Sequence, residues 1–149
     1  MASEKETARA TANGERIRGA GLKLTPQRLA VLDYLQRTPG HPTAEQIGAE
    51  LNRSLPRAAR ATVYNALRAL RDAGLVSEVR LDGATARYDT NLAPHHHFVC
   101  RRCGRIDDVS AEAAGPPPAF EVGEGYAVED YEIVLRGLCP ACARRRKKR

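Results

Sequence analysis

The sequence contains no tryptophan, one methionine and two phenylalanines. With so few large apolar side chains spread over 149 residues, one deep core is hard to fill. Two small domains suit the length, and each would be marginal without an added staple. Missing too is any run near the roughly 20 apolar residues that cross a bilayer. The opening MASEKETARATANGER lacks the apolar centre of a secretion signal. These absences predict a cytoplasmic protein with no membrane partner. Cysteine is scarce as well: the four residues form two Cys-x-x-Cys pairs, which in a reducing compartment read as a metal site before a disulfide.

Positive charge is abundant. The formal net charge is +6, concentrated in arginines of the first half and in the terminal run Arg144-Arg145-Arg146-Lys147-Lys148-Arg149. An anionic partner is expected, and the terminal run itself reads as a solvated, disordered tail or a non-specific phosphate contact.

Apolar periodicity organises the first half. Leu24, Leu29, Leu32 and Leu35 form a helical stripe with Thr25-Pro26 as cap and first position. Pro39-Gly40 ends it. Thr43 caps a second, brief helix carrying Ile47 and Leu51, and residues 60–73 form a third, with Val63, Leu67 and Leu70 on one side and Gly74 as its stop. Two short strands follow at 75–81 and 85–89, joined at Asp82-Gly83, a dipeptide that tight hairpins favour. Three helices and a hairpin make a winged helix. On the third helix Arg60, Tyr64 and Arg68 recur every four residues beside Asn65. A solvated face explains arginines in general, but Arg57 and Arg60 sit near a helix N-terminus, where the dipole disfavours cations. Duplex DNA, which admits a helix into its major groove and offers phosphates on both sides, accounts for them.

Residues 1–20 read as a disordered N-terminal arm, 21–89 as the winged-helix domain, 90–94 as a hinge, 95–142 as a small α/β dimerisation and metal-binding domain, and 143–149 as a basic tail. The fold class is α+β. Short apolar runs at 97–100, 106–109 and 131–138 suit strands, and the proline-rich segment between the last two allows at most one helical turn.

Cys100-x-x-Cys103 and Cys139-x-x-Cys142 each set two sulfurs on a tight turn. Four thiolates complete a tetrahedral Zn2+ site, structural because no coordination position stays open. Redox disulfides or unpaired thiols are the rival readings. Ahead of the first pair stand His95-His96-His97. In extended backbone His95 and His97 share a face and His96 points away. Two imidazoles make a weak site alone, and the available partners are His41, Asp89, and Asp107 or Asp108. Mixed nitrogen and oxygen donors without thiolate favour a reversible first-row ion, Fe2+ or Mn2+.

Leu24-Thr-Pro-Gln-Arg28, His41-Pro-Thr-Ala-Glu45, Ala61-Thr-Val-Tyr-Asn65, Gly74-Leu-Val76, the histidine stretch and both cysteine pairs together resemble the ferric uptake regulator family over roughly residues 20 to 142. That resemblance implies a homodimeric, metal-activated repressor of operator DNA, not an enzyme and without a small organic substrate. It implies a winged helix followed by a dimerisation domain holding zinc, with a regulatory ion at the hinge. By position the regulatory ligands fall on His41, Asp89, His95, His97 and Asp108. The aspartate at 108 resembles the peroxide-sensing, PerR-like subgroup of catalase-gene regulators, whereas iron-uptake regulators tend to carry glutamate. The chemistry implied is iron-catalysed oxidation of a ligand imidazole, His41 or His95, by hydrogen peroxide, followed by loss of metal and release of oxidative-stress genes. An iron- or zinc-responsive repressor of metal-uptake genes, lacking the oxidation step, is the alternative. The DNA-reading positions carried over are Lys23, Tyr64 and Asn65; Arg57, Arg60 and Arg68 are added from charge placement. Tyr64 could instead pack between helices. Ala59 departs from the family's usual serine cap, and Asp130-Tyr131 replace a histidine common before the last strand.

Overall fold

A computed structural model describes residues 2–54, 60–81, 83, 85–116 and 121–147. The chain divides into two compact units, Met1–Leu92 and Ala93–Arg149.

The first unit begins with helix α1 (Ala2–Gly19), where a disordered arm was expected. The segment is rich in alanine, glutamate, lysine and arginine, all good helix formers. Its apolar signal is faint because one large side chain, Ile17, does the packing, with full burial. Arg9 reaches from α1 to the carboxylate of Asp33 on the next helix. At the C-terminus Gly21 adopts a left-handed φ of 77°. There the Leu22 amide donates to Ile17 C=O and the Gly21 amide to Arg18 C=O, a closure that uses up carbonyls the helix leaves over.

Helix α2 (Pro26–Arg37) starts as the sequence predicts, with the Thr25 hydroxyl accepting from the Arg28 amide. Helix α3 (Ala44–Ser54) opens on a reciprocal box: the Gln46 amide donates to Thr43 Oγ1 at 3.2 Å and the Thr43 amide to Gln46 Oε1 at 2.9 Å. Helix α4 (Arg60–Asp72) ends at left-handed Gly74. Val63, Ala66, Leu67 and Leu70 from α4 are buried with Val31, Leu32 and Leu35 of α2 and Ile47 and Leu51 of α3. Fully burying one such aliphatic side chain contributes on the order of 1.5–3 kcal/mol, so this cluster is the main source of the unit's stability. Strands β1 (Ser77–Val79) and β2 (Arg87–Asp89) pair antiparallel with Val79 opposite Arg87. They are shorter than the runs expected, and Asp82 of the expected turn lies outside the described residues.

In the second unit, strands β3 (His95–Cys100), β4 (Ile106–Ser110) and β5 (Val134–Gly137) form one sheet in the order β4-β3-β5. β3 runs antiparallel to β4 and parallel to β5. Between β4 and β5 the described residues include one helical turn, α5 (Ala111–Ala114), capped by the Ser110 hydroxyl. The chain closes with helix α6 (Pro140–Lys147), which corrects the disordered reading of the basic tail as far as Lys147. Pro140 occupies a first-turn position that needs no amide hydrogen, and the alanine and arginines after it are strong helix formers.

Candidate metal centres and nucleic-acid interface

The parallel register of β3 and β5 builds the cysteine cluster. Cys100 lies opposite Gly137 and the Arg101 amide donates to Gly137 C=O at 2.9 Å, so both knuckles emerge at one end of the sheet. The first turns back through Gly104, at φ 72°, with its amide bonded to Cys100 C=O. All four sulfurs lie within 4.8 Å of one another. Zn–S bonds near 2.3 Å place tetrahedral sulfurs about 3.8 Å apart, and the Cys103 and Cys139 sulfurs are separated by 3.8 Å. The Cys139 amide donates to Cys100 Sγ at 3.3 Å. Amide donors from Cys139 and Cys103 pull the Cys100 thiol down to about 6. Burial, and then the neighbouring thiols, push Cys142 up to about 12. Cys142 thus resists ionising beside the Cys100 sulfur; a divalent ion at the centre of the cluster would supply the missing positive charge.

Nitrogen and oxygen donors gather in each unit. In the first, the loop before α3 is tied to β2: the Tyr88 amide donates to Pro42 C=O at 3.1 Å and Arg87 to His41 C=O at 3.2 Å. This brings His41 Nε2 to 3.3 Å from Asp89 Oδ2, with the histidine side chain 3% exposed. The second Asp89 oxygen accepts from the Asn91 amide at 2.8 Å. His41 adopts a φ of 56°, a left-handed conformation costly for a residue with a Cβ, and such strain gathers at functional positions.

In the second unit, His95 and His97 share a face of β3 as the alternation predicts. Their Nε2 atoms are 3.1 Å apart, close to the roughly 3.0 Å between two ligands at right angles on an ion with bonds near 2.1 Å. Across the antiparallel ladder His97 pairs with Asp108, and Asp108 Oδ1 lies 3.8 Å from His95 Nε2. Asp107 is on the other side, bonded to Arg105, which separates the two aspartates that spacing left open. His96 also faces away. Its Nδ1 accepts from the Ile133 amide at 3.3 Å and its ring packs 5.4 Å from that of Tyr131. Glu132 was not anticipated: its Oε1 accepts from His97 Nδ1 at 2.6 Å. Sequence position alone offers little sign of it, since the contact depends on the β3–β5 register.

The outer face of α4 carries Tyr64, Asn65 and Arg68, all exposed, and Lys23 is exposed just ahead of α2. Arg60 is the first residue of α4; Arg57 lies outside the described residues. Tyr64 reaches from α4 to α3. It is 38% exposed, and its hydroxyl donates to Glu45 Oε1 of α3 at 2.8 Å. A cavity of about 310 Å³ separates α4 from the hairpin and is lined by Tyr64, Asn65, Arg68, Arg71 and Arg80. Glu78 of the wing accepts from Arg71 of α4 at 2.6 Å and from its neighbour Arg80 at 2.7 Å, so one carboxylate ties the helix to the wing through Arg71.

The fold of the first unit is that of a DNA-binding regulator, and the second adds a cluster of four cysteines. A model described as the ferric uptake regulator family matches residues 19–135, and the chain belongs to that family. It is a metal-dependent transcriptional regulator and not an enzyme. Among relatives, the peroxide operon regulator of Bacillus subtilis is 34% identical over 137 residues, covering 88% of this chain and 91% of its own. The transcriptional regulator FurA of Mycobacterium tuberculosis is 38% identical over 132 residues, covering 87% and 88%. A solved zinc uptake regulator, in complex with zinc and DNA, superposes with a TM-score of 0.67 at 25% identity, over 95% of this chain and 97% of that one.

Proposed function

We propose that the chain is a peroxide-sensing repressor that binds operator DNA as a homodimer in the cytoplasm. In this reading Cys100, Cys103, Cys139 and Cys142 hold structural Zn2+, and His41, Asp89, His95, His97 and Asp108 hold one regulatory Fe2+ or Mn2+. The observation that carries it is the pair of Nε2 atoms on His95 and His97, 3.1 Å apart, beside Asp108 and apart from sulfur. Such donors suit a reversible first-row ion. The hinge 90–94 is short, so Asp89 and His95 lie no more than roughly 20 Å apart along the chain, and one ion taking ligands from both units would restrict their relative freedom.

Iron, when bound, would supply the electrons for cleaving the O–O bond of hydrogen peroxide. The chain's residues hold the imidazoles that receive the oxidant. His41 and His95 are the positions whose oxidation would cost a ligand, and with it the metal and the grip on DNA. Arg57, Arg60 and Arg68 would contact phosphates, while Lys23, Tyr64 and Asn65 would read the DNA at its base edges. Val122, Tyr126, Val128 and Leu135 of the second unit are exposed large apolar side chains, of the kind a second copy would cover. The 34% identity to a peroxide operon regulator supports the sensor reading.

The test is a titration of the zinc-loaded protein against an operator selected from random duplexes, with Fe2+ or Mn2+, before and after peroxide. Peroxide should abolish binding by the iron form and spare the manganese form. One added oxygen atom should appear on a peptide containing His41 or His95. Unmodified histidines and unchanged binding would leave the uptake-gene repressor as the reading.

A further inference from the structure

We infer that Glu132 is a positioning residue that fixes the tautomer of His97 and so presents Nε2, not Nδ1, to the regulatory ion. The inference rests on the regulatory-site reading above and deepens it. A carboxylate only accepts hydrogen bonds, so the 2.6 Å contact between Glu132 Oε1 and His97 Nδ1 requires the ring proton on Nδ1. In a neutral imidazole the lone pair then resides on Nε2. His95 reaches the same state by another route, because its Nδ1 lies 2.7 Å from the Ala93 carbonyl oxygen, which also accepts only. With both rings neutral, neither Nε2 has a proton to offer the other, yet the two face each other at 3.1 Å. Two lone pairs at that distance repel unless a cation lies between them, so the outer hydrogen bonds set the rings for a shared ion.

The two anchors differ in kind. The Ala93 carbonyl is neutral and belongs to the chain just before β3, whereas Glu132 carries a full charge and arrives from the residues leading into β5. The register explains its place: the His97 amide donates to Ile133 C=O at 3.1 Å, and His97 pairs with Val134, which puts residue 132 alongside the His97 ring. A charged acceptor on the far nitrogen raises the basicity of the ligating one. His97 is 3% exposed and Glu132 47% exposed at the side chain, so substituting the glutamate leaves no buried cavity.

The test uses the full-length, zinc-loaded chain and two variants, Glu132→Ala and Glu132→Gln. Long-range nitrogen–proton correlation spectra of the imidazoles, taken without regulatory metal, report the tautomer directly. Wild-type His97 should be in the Nδ1–H form, Glu132→Ala should shift toward Nε2–H, and Glu132→Gln, which keeps a neutral acceptor, should largely retain the wild-type form. Mn2+ affinity, measured by competition with a fluorescent chelator, should fall about 10–100-fold in Glu132→Ala and less in Glu132→Gln, with zinc content unchanged. A Glu132→Ala protein that keeps the Nδ1–H tautomer, or that binds Mn2+ within twofold of wild type, overturns the inference. If wild type itself binds no Mn2+, the regulatory-site reading fails instead, and the tautomer spectra alone decide the role of Glu132.

Discussion

The sulfurs of Cys103 and Cys139 lie 3.8 Å apart although the residues are 36 positions apart in sequence. Each belongs to a different knuckle, and only the pairing of β3 with β5 brings them together. Removing either sulfur therefore removes a ligand and also weakens the tie between the two knuckles.

Cys139→Ser should abolish stoichiometric zinc binding and loosen the second unit, because an ion that no longer ties β5 to β3 leaves a sheet with little apolar core. Hydrogen exchange of the full-length protein reads this directly. Amides of Cys100 and Arg101 should lose protection, while those of α2 and α4 keep theirs. Retained protection at Cys100 would mean that zinc is not the staple.

Ile17→Ala tests the integration of α1. A fully buried isoleucine cut to alanine should destabilise the first unit by about 2–5 kcal/mol, read as a lower midpoint in urea. A disordered arm predicts no change.

Glu78 should confer an acid-side dependence on the first unit. Hydrogen bonds from Arg71 and then Arg80 hold its carboxyl below the ordinary value of 4.5. A folded-state value lower than the unfolded one means that the contribution is present above the unfolded value and is lost as pH falls through the folded one. Thermal stability should accordingly drop below about pH 4.5, and Glu78→Gln should flatten that slope while lowering stability at neutral pH. Equal slopes in both proteins would refute the pairing.

Arg68→Ala should weaken operator binding and unrelated-duplex binding by similar factors, and should make the dependence of log affinity on log salt shallower by about 1. Asn65→Ala should instead reduce discrimination between the two duplexes. If Arg68→Ala leaves the salt slope unchanged, Arg68 does not contact phosphate.

Helix starts were legible because they depend on neighbours: Thr25 before Pro26, and Thr43 three residues before Gln46, satisfy their own amides whatever surrounds them. The α4 stripe was legible for the same kind of reason, since 3.6-residue periodicity is a local property. Helix α1 escaped because a single isoleucine carries its packing, and periodicity needs repetition to be seen. The terminal helix escaped because α6 is rich in charge and shows no apolar face.

The amino-acid sequence carried the chemistry of the candidate donors, sulfur, imidazole or carboxylate, and, by strand alternation, the fact that His95 and His97 share a face that His96 does not. Tertiary structure alone decided which distant groups meet. The choice of Asp108 over Asp107 follows from cross-strand register, the closure of the cysteine cluster from the parallel β3–β5 pair, and the hold of Glu132 on His97 from the approach of the chain into β5. Local pattern reads composition and period, whereas these three contacts depend on strand pairing between residues far apart in the chain, which no window of sequence contains.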